Sequence, residues 1–308
     1  MKNTNYQKYL NGYLHFDALL WNASRDAASR GDAIHIQSRK GNLVCEYRDL
    51  PFDSSILGVT VARIENIFFP KYPKADEITG FLKQIDDVLR QKSIVLASFR
   101  LGCDHFPFFS ALEENGWYLA DVLNVYGCDP SHLVSGRSQY PLQAVAVNLT
   151  GIDEVLESCR ETYPYSRIFR DRHIRNNVAD IFYKRLIAAA GENETTSKMA
   201  VRKDSETIGF IIGERDELLF QKTRFRLSYL CHIMIKSQYR GRGFSHQLFS
   251  AFLDAESASG NFVEISTQMD NRPANRLYLS AGLVPVANAI TFHRWLTPKM
   301  RQNADNCH

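Results

Sequence analysis

The sequence predicts a mixed α/β or α+β sheet with helices on both faces, divided into two domains. Three observations lead there. The chain has 308 residues, and domains run to about 150 residues each. Apolar runs of strand character and helical stripes alternate irregularly, with strands clustered in the middle, the pattern of a mixed sheet covered by helices. Residues 128–141 read CDPSHLVSGRSQYP, a Ser-, Gly- and Pro-rich break suited to a domain boundary. The expected organisation is a first domain over 1–128, a linker over 129–141, a second domain over 142–298 and a frayed polar tail over 299–308.

The first domain should open with an amphipathic helix over 5–29, where Tyr9, Tyr13, Phe16 and Leu20 share a face. Strands are expected at 33–37, 43–47 and 59–64. Ile78, Phe81, Leu82, Ile85 and Leu89 form a helical stripe over 74–91. A strand (93–99), a helix (106–115) and a strand (118–126) follow, with Gly116 where a helix end favours a left-handed residue. After the linker come a strand (143–149), a helix (153–162), a polar segment (163–172) and a helix (174–190). Strands at 199–202, 207–215 and 226–236 precede a helix (243–259), a strand (262–267), a helix (272–281) and strands at 283–286 and 290–295.

Composition narrows the function. Lys plus Arg is 37 and Asp plus Glu is 34, a net charge of +3. That balance excludes a nucleic-acid binder working by bulk charge. No apolar run approaches the ~18 residues of a membrane span. The first 14 residues hold no apolar core of a signal peptide, so none is expected. Six scattered cysteines form no C-x-x-C pair, and nine histidines form no H-E-x-x-H. No metal is expected, and the cysteine usage fits a reducing, cytoplasmic setting.

The decisive stretch is 230–245, LCHIMIKSQYRGRGFS. An apolar strand runs into Gln238-Tyr239-Arg240-Gly241-Arg242-Gly243, and a helix opens directly after it. Glycines let a backbone turn tightly and approach a ligand. The free N–H groups of a first helical turn then point at an anion, with the helix dipole in support. The Walker pattern is absent, and His246 stands where a dinucleotide fingerprint has its third glycine. A tight basic turn without a ligand is the bland alternative.

Downstream, Asn271, Ala274, Leu277, Tyr278 and Gly282 complete an N-x-x-A-x-x-L-Y-x-x-x-G segment. With the Q-x-x-G-x-G of 238–243, this resembles the GCN5-related N-acetyltransferase (GNAT) superfamily over about 142–295. The resemblance implies an acetyltransferase fold using acyl-coenzyme A. The backbone from Arg240 through Gly241, Arg242, Gly243 and Phe244 to Ser245, with Gln238, would hold the pyrophosphate. The strand with Ile233 and Ile235 would pair with the pantetheine arm. Asn271 would bond that arm, Asn275 would belong to the same cofactor site, and Tyr278 would protonate the leaving thiolate.

Thr267-Gln268-Met269-Asp270-Asn271 is similar to the T-Q-M-x-N of the TDP-fucosamine acetyltransferase family. Phe52-Asp53-Ser54-Ser55-Ile56-Leu57-Gly58 resembles that family's aromatic–acid–x–x–F–F–G segment. Tyr165-Ser166-Arg167-Ile168-Phe169 resembles its S-R-F, and Phe182-Tyr183 its F-Y pair. The implied acceptor is a nucleotide-linked amino sugar, held by Ser166, Arg167, Arg170, Tyr183 and Gln268. A homodimer and no nucleic-acid or membrane partner complete the expectation.

Residues 112–117 echo 278–283, with Leu112 where Tyr278 stands and no R-G-x-G before it. The first domain therefore reads as a partial, degenerate GNAT-like lobe, unless two helix–Gly–strand turns merely coincide. The carbonyl would be polarised by a backbone N–H of a bulged strand near Ile235. The base stays open among His232, Asp53 and Glu65. On strand alternation Tyr229, Cys231 and Ile233 share a side and His232 takes the other, an arrangement that a bulge would change. Peptide or other small-molecule amines, or acyl-coenzyme A binding without catalysis, are the alternative functions.

Overall fold

The computed structural model describes residues 34–39, 41–69, 71–132, 144–146, 163–192, 196–203 and 206–296. The expected helices at 5–29 and 153–162, most of the linker and the tail lie outside the described residues. In chain order the elements are β1 (Ile34–Gln37), β2 (Val44–Asp49), α1 (Pro51–Leu57), β3 (Val61–Phe68), α2 (Ala75–Gln91), β4 (Leu96–Gly102), α3 (Phe106–Glu114), β5 (Tyr118–Cys128) and β6 (Ala144–Ala146). Then follow α4 (Arg167–Arg170), α5 (Asn176–Glu192), β7 (Thr196–Lys203), β8 (Glu206–Arg215), α6 (Glu217–Thr223), β9 (Leu227–Ile235), α7 (Phe244–Ala258), β10 (Phe262–Gln268), α8 (Arg272–Ser280) and β11 (Val284–Trp295).

These elements fall into two units. The first takes the described residues of Ser24–Val122, Ser166–Val178 and Asn288–His308. Its strands run β1-β2-β3-β4-β11, antiparallel except for the parallel pair β3·β4. The stripe foreseen on α2 is its buried face. It packs into one core with Ile64, Phe99, Phe108, Leu112, Trp117 and Phe292.

The second unit takes the described residues of Leu123–Tyr165 and Ala179–Ala287. Its strands run β6-β7-β8-β9-β10-β5, with β9·β10 the parallel pair. One core unites Phe249 and Phe252 of α7 with Leu277 and Tyr278 of α8, and with Tyr126, Val263 and Ile265 of the sheet. Another sets Ile187 of α5 against Phe210, Ile212 and Met234. Gly213 makes room for α7: a Cβ there would lie 2.4 Å from the Phe252 ring.

The units repeat one another at a constant offset of 166 residues. Val61 and Leu96 begin the parallel pairing of β3 with β4, and Leu227 and Phe262 that of β9 with β10. Helix α3 starts at Phe106 and α8 at Arg272, and β5 starts at Tyr118 and β11 at Val284. The glycines after the two helices, Gly116 and Gly282, have φ of 80° and 90°. In each, the backbone N–H of the following residue reaches back to the fifth residue before it, Trp117 to Leu112 and Leu283 to Tyr278. The echo of 112–117 in 278–283 is thus one turn of a duplicated βαβαβ segment.

The last strand of each repeat is exchanged. Residues 123–128 of β5 pair with β10, and residues 289–295 of β11 pair with β4. This is why the units are discontinuous in sequence, where composition suggested consecutive domains. It also explains why 283–286 and 290–295, read as two strands, form the single β11. Helices α1, α4 and α6 escaped the sequence reading because each has seven residues or fewer, too short for a periodic stripe to show.

A fragment beginning at residue 133 would lose the six residue pairs that β5 makes with β10 and expose a bare apolar edge. It is expected to show no cooperative thermal transition alone and to regain one when mixed with fragment 1–132. A monomeric 133–308 fragment melting like the intact chain would refute the exchange.

Candidate functional site

Strands β9 and β10 pair only from Leu227 to Leu230 and from Phe262 to Ile265. Beyond these residues no pairs join them, so the strands part. At the same point β9 carries a bulge: Leu230 faces Gly213 and His232 faces Ile212, leaving Cys231 extra. The bulge lies four residues before Ile235, near which the sequence reading had placed it. The Lys236 N–H donates to Ile208 O at 2.9 Å. Alternation along an antiparallel ladder then turns the peptide groups of Ile233 and Ile235 toward the side that β10 has left. The bulge also reverses the side-chain phase. Leu230 and Ile233 join the α7/α8 core, while Tyr229 packs with Leu227 in a separate cluster. The expected sharing of a side by Tyr229 and Ile233 is corrected accordingly.

The turn after β9 is held by its own side chains. Arg240 Nε donates to Ile235 O at 3.0 Å. Lys236 Nζ and the Tyr239 hydroxyl both donate to Glu206, at 2.8 and 2.6 Å, and these bonds keep that carboxyl below its usual range. Arg242 lies over the Tyr239 ring, and Phe244 packs edge-on against it. Gly241 and Gly243 have φ of 74° and 83°, a region that costs other residues about 1–2 kcal/mol. A Cβ at either would meet nothing within 4 Å. Gly243 is the N-cap of α7 and offers no side-chain acceptor. The first intrahelical bond is Gln247 N–H to Gly243 O, so the N–H groups of Phe244, Ser245 and His246 have no partner within the helix. The open space, the three N–H groups and the positive end of the dipole fit a phosphate.

In the first unit the corresponding helix starts three residues earlier, at Ala75. The offset places Glu77 at the position of Gly243. Glu77 Oε2 accepts from Lys74 N–H at 3.0 Å, and Oε1 accepts from Asn42 Nδ2 at 3.3 Å. Glu77 thus closes a capping box on the N-cap N–H of α2.

Asn271 caps α8: its Oδ1 accepts from Ala274 N–H at 3.4 Å, and its Nδ2 donates to Thr267 Oγ1. One hydrogen of that amide remains for a ligand. Asn275 is buried and differently used. Its Oδ1 accepts from the Tyr126 hydroxyl at 2.6 Å and from Asn124 Nδ2 at 2.9 Å. Its Nδ2 serves the carbonyls of Gln268, Met269 and Asn271. These bonds take up its polar atoms, so Asn275 builds the β10–α8 turn behind Tyr278, where contact with the cofactor had been expected. The Tyr278 ring lies between Tyr126 and Phe249, with centroids at 5.8 and 5.4 Å. Its hydroxyl has no hydrogen-bond partner among the described residues. Burial, with Tyr126 adding to it, pushes the phenol further above its ordinary value, so it stays protonated at neutral pH.

On the other face of β9, the His232 Nδ1 lies 3.3 Å from the Tyr163 hydroxyl. Tyr163 stacks on Tyr183, with ring centroids 4.5 Å apart. Burial lowers the His232 pKa to about 4, which leaves the imidazole neutral and weakly basic.

Ser166, Arg167 and Arg170 belong to the first unit. Ser166 caps α4 by accepting from Phe169 N–H, and Arg170 is exposed. Arg167 turns inward, with Nη1 at 3.0 Å from His293 Nε2 and Nη2 at 4.0 Å from Asp53. Arginine only donates, so Nε2 of His293 accepts and Nδ1 carries the proton. That proton goes to Asp171 Oδ2 at 2.7 Å, which also accepts from the Tyr118 hydroxyl at 2.8 Å and Trp295 Nε1 at 3.1 Å. Burial would raise the Asp171 carboxyl, but these donors together hold it well below the carboxylate range. Burial raises Asp53 despite Arg167 and Arg63. The side chain of Glu65 lies outside the described residues. Among the described residues no group of three His, Cys, Asp or Glu could hold a metal, and no helix is long and apolar enough to cross a membrane.

The bulged and parted strands, the open helix start and the capped α8 together make a recognisable arrangement. Residues 152–283 match the acetyltransferase (GNAT) family. The chain contains a GNAT domain. Solved structures extend the likeness beyond it. A GCN5-related N-acetyltransferase from Sphaerobacter thermophilus shares 13% identity over 83% of this chain and 81% of its own, with a TM-score of 0.55. One from Kribbella flavida shares 14% over 88% and 93%, with a TM-score of 0.54. A tandem GNAT protein from the clavulanic acid biosynthesis pathway shares 12% over 83% and 80%, with a TM-score of 0.50. At such identities the likeness concerns the fold. No curated protein matches the chain.

Sequence reasoning missed Tyr126 and Asn124, which stand beside the GNAT domain's Asn275. The 166-residue offset was the available signal, since it makes β5 the counterpart of β11. It also missed the Asp171 network, whose members are far apart in sequence. Asp171→Ala should destabilise the protein by about 1–3 kcal/mol or more at neutral pH, because it leaves the buried donors of His293, Tyr118 and Trp295 without their acceptor. The folded carboxyl lies below its unfolded value near 3.9, so its contribution is present above pH ~4 and lost as pH falls further. Melting temperatures of both proteins should therefore converge on acidification. A gap that persists unchanged below pH 3 would contradict this.

Proposed function

We propose that the protein transfers an acyl group from acyl-coenzyme A to the amine of a nucleotide-linked 3- or 4-amino-dideoxy sugar. The observation that carries the coenzyme half is the open α7 N-terminus with its two left-handed glycines, beside strands that part at a bulge. The GNAT match over 152–283 includes all of it. The sugar half rests on the resemblance of Thr267–Asn271, Ser166–Phe169 and Phe182-Tyr183 to the sugar-nucleotide enzymes, as do a cytoplasmic setting and a homodimer.

When bound, the coenzyme supplies the acyl group as a thioester. The N–H groups of Phe244, Ser245 and His246 and the backbone of Gly241 and Gly243 receive the pyrophosphate, with Gln238, Arg240 and Arg242 around it. Ile233 and Ile235 offer peptide groups to the pantetheine arm in the manner of an added strand, and the free amide hydrogen of Asn271 serves the same arm. An N–H of this open edge polarises the carbonyl. Tyr278 keeps its proton until the thiolate departs and then donates it. The amine must lose one proton, and neutral His232 lies on the face of β9 away from Tyr278, so its role as base is the weakest of these assignments. Gln268 and Tyr183 of the second unit are offered to the acceptor. Arg167, bound to His293, acts on the acceptor through the fold of its segment.

A second reading is favoured by the duplication: another small-molecule amine as acceptor, as the likeness to a tandem GNAT protein from the clavulanic acid biosynthesis pathway suggests. A thiol-release screen decides between them. Acetyl-coenzyme A is offered with dTDP-linked 3-amino and 4-amino dideoxy sugars and with free amino sugars and amino acids. Turnover confined to the nucleotide-linked amines is expected. Turnover only with the free amines would refute the sugar-nucleotide assignment.

Gly241→Ala and Gly243→Ala each add a methyl to the empty side of the turn. Both should stay folded, with a strain of about 1–2 kcal/mol, and bind coenzyme A at least tenfold more weakly in calorimetry. Wild-type affinity in both would remove the turn from the cofactor site.

A further inference from the structure

We propose that Tyr126 and Asn124, on the strand lent by the first repeat, act with Asn275 as positioning residues that hold Tyr278 for proton delivery. The inference rests on the reading of Tyr278 as the acid. Asn275 and Tyr278 lie one helical turn apart on α8 and so share a face. Two donors from β5 fix Asn275 Oδ1, and its Nδ2 ties down three carbonyls of the turn that launches the helix. Tyr126 also sets its ring edge-on to Tyr278 at 5.8 Å. The phenol has no hydrogen bond of its own among the described residues. Its aim is therefore set by the placement of α8 and by the rings around it.

The first unit supplies an internal control. At the 166-residue offset, Phe109 corresponds to Asn275, Phe292 to Tyr126 and Leu112 to Tyr278. Phe109 and Phe292 meet there as two rings with centroids 5.7 Å apart. The same helix–strand junction is thus filled by an apolar pair where the next turn carries Leu. Packing alone does not call for the buried Tyr–Asn bond, which accompanies the phenol. A buried polar pair is satisfied only in one geometry, whereas two rings can slide, and a reacting group displaced by about 1 Å can lose 10²-fold in rate.

Tyr126→Phe removes one hydroxyl and keeps the ring. In the coenzyme-free protein, amides of 275–280 should exchange with deuterium at least fivefold faster, while those of 106–114 keep their rates. Thiol release from acetyl-coenzyme A, with the amine that turns over in the acceptor screen, should fall about 5–20-fold in kcat with KM for the donor within twofold. Tyr278→Phe should fall further, and Tyr126→Phe/Tyr278→Phe should match Tyr278→Phe alone. Unchanged exchange at 275–280 in Tyr126→Phe overturns the proposal. So do losses that multiply in the double variant, or a slow Tyr278→Phe beside a normal Tyr126→Phe, both of which leave the acid reading intact. A Tyr278→Phe variant with near-normal turnover sinks the acid reading, and the proposal with it.

Discussion

The pairing of β5 with β10 is the constraint on which the second unit depends. It occupies the edge of β10 opposite β9, whose own pairing with β10 ends at Ile265. Without it, β10 would keep only its ladder of four residue pairs with β9, and its other edge would be open. Because β5 is continuous with the first repeat, the sheet of the second unit is completed by a strand from the first repeat. The polar hub at Asn275 adds direction to this support, since Tyr126 and Asn124 reach it from the borrowed strand.

The phosphate site is built by omission. Gly241 and Gly243 hold a backbone that other side chains resist, and nothing of the chain fills the space they leave. The surrounding contacts are ordinary: Glu206 ties Lys236 and Tyr239, and Arg240 grips Ile235 O. Exposed pairs of this kind are worth little in stability. They shape the turn, and the N–H groups of the first turn of α7 have no partner within the helix.

The parts of this architecture that obey local rules were legible in the sequence. The α2 stripe, the strand–glycine–helix turn and the order of the later elements follow from periodicity and from backbone freedom at glycine. The parts that need distant partners were not. Nothing local in β5 tells which strand it will join. Asn275 looks like a binding residue until Tyr126, 149 positions away, is seen to hold it. Arg167 likewise reads as a free cation, yet His293 and Asp53 claim it. The bulge at Cys231 shows the same limit: one unpaired residue shifted the face of every side chain after it.

Glu77 bears on how many coenzymes one chain can take. A helix start that already holds a carboxylate repels a second anion, and α2 has Asp76 beside Glu77 in its first turn. The α7 first turn has no acidic residue. Duplication therefore repeated the scaffold without repeating the glycine pair of the α7 turn. On the proposed reading, binding at the α7 turn should saturate at one equivalent per chain, since the first repeat has Asp76 and Glu77 in the first turn of α2.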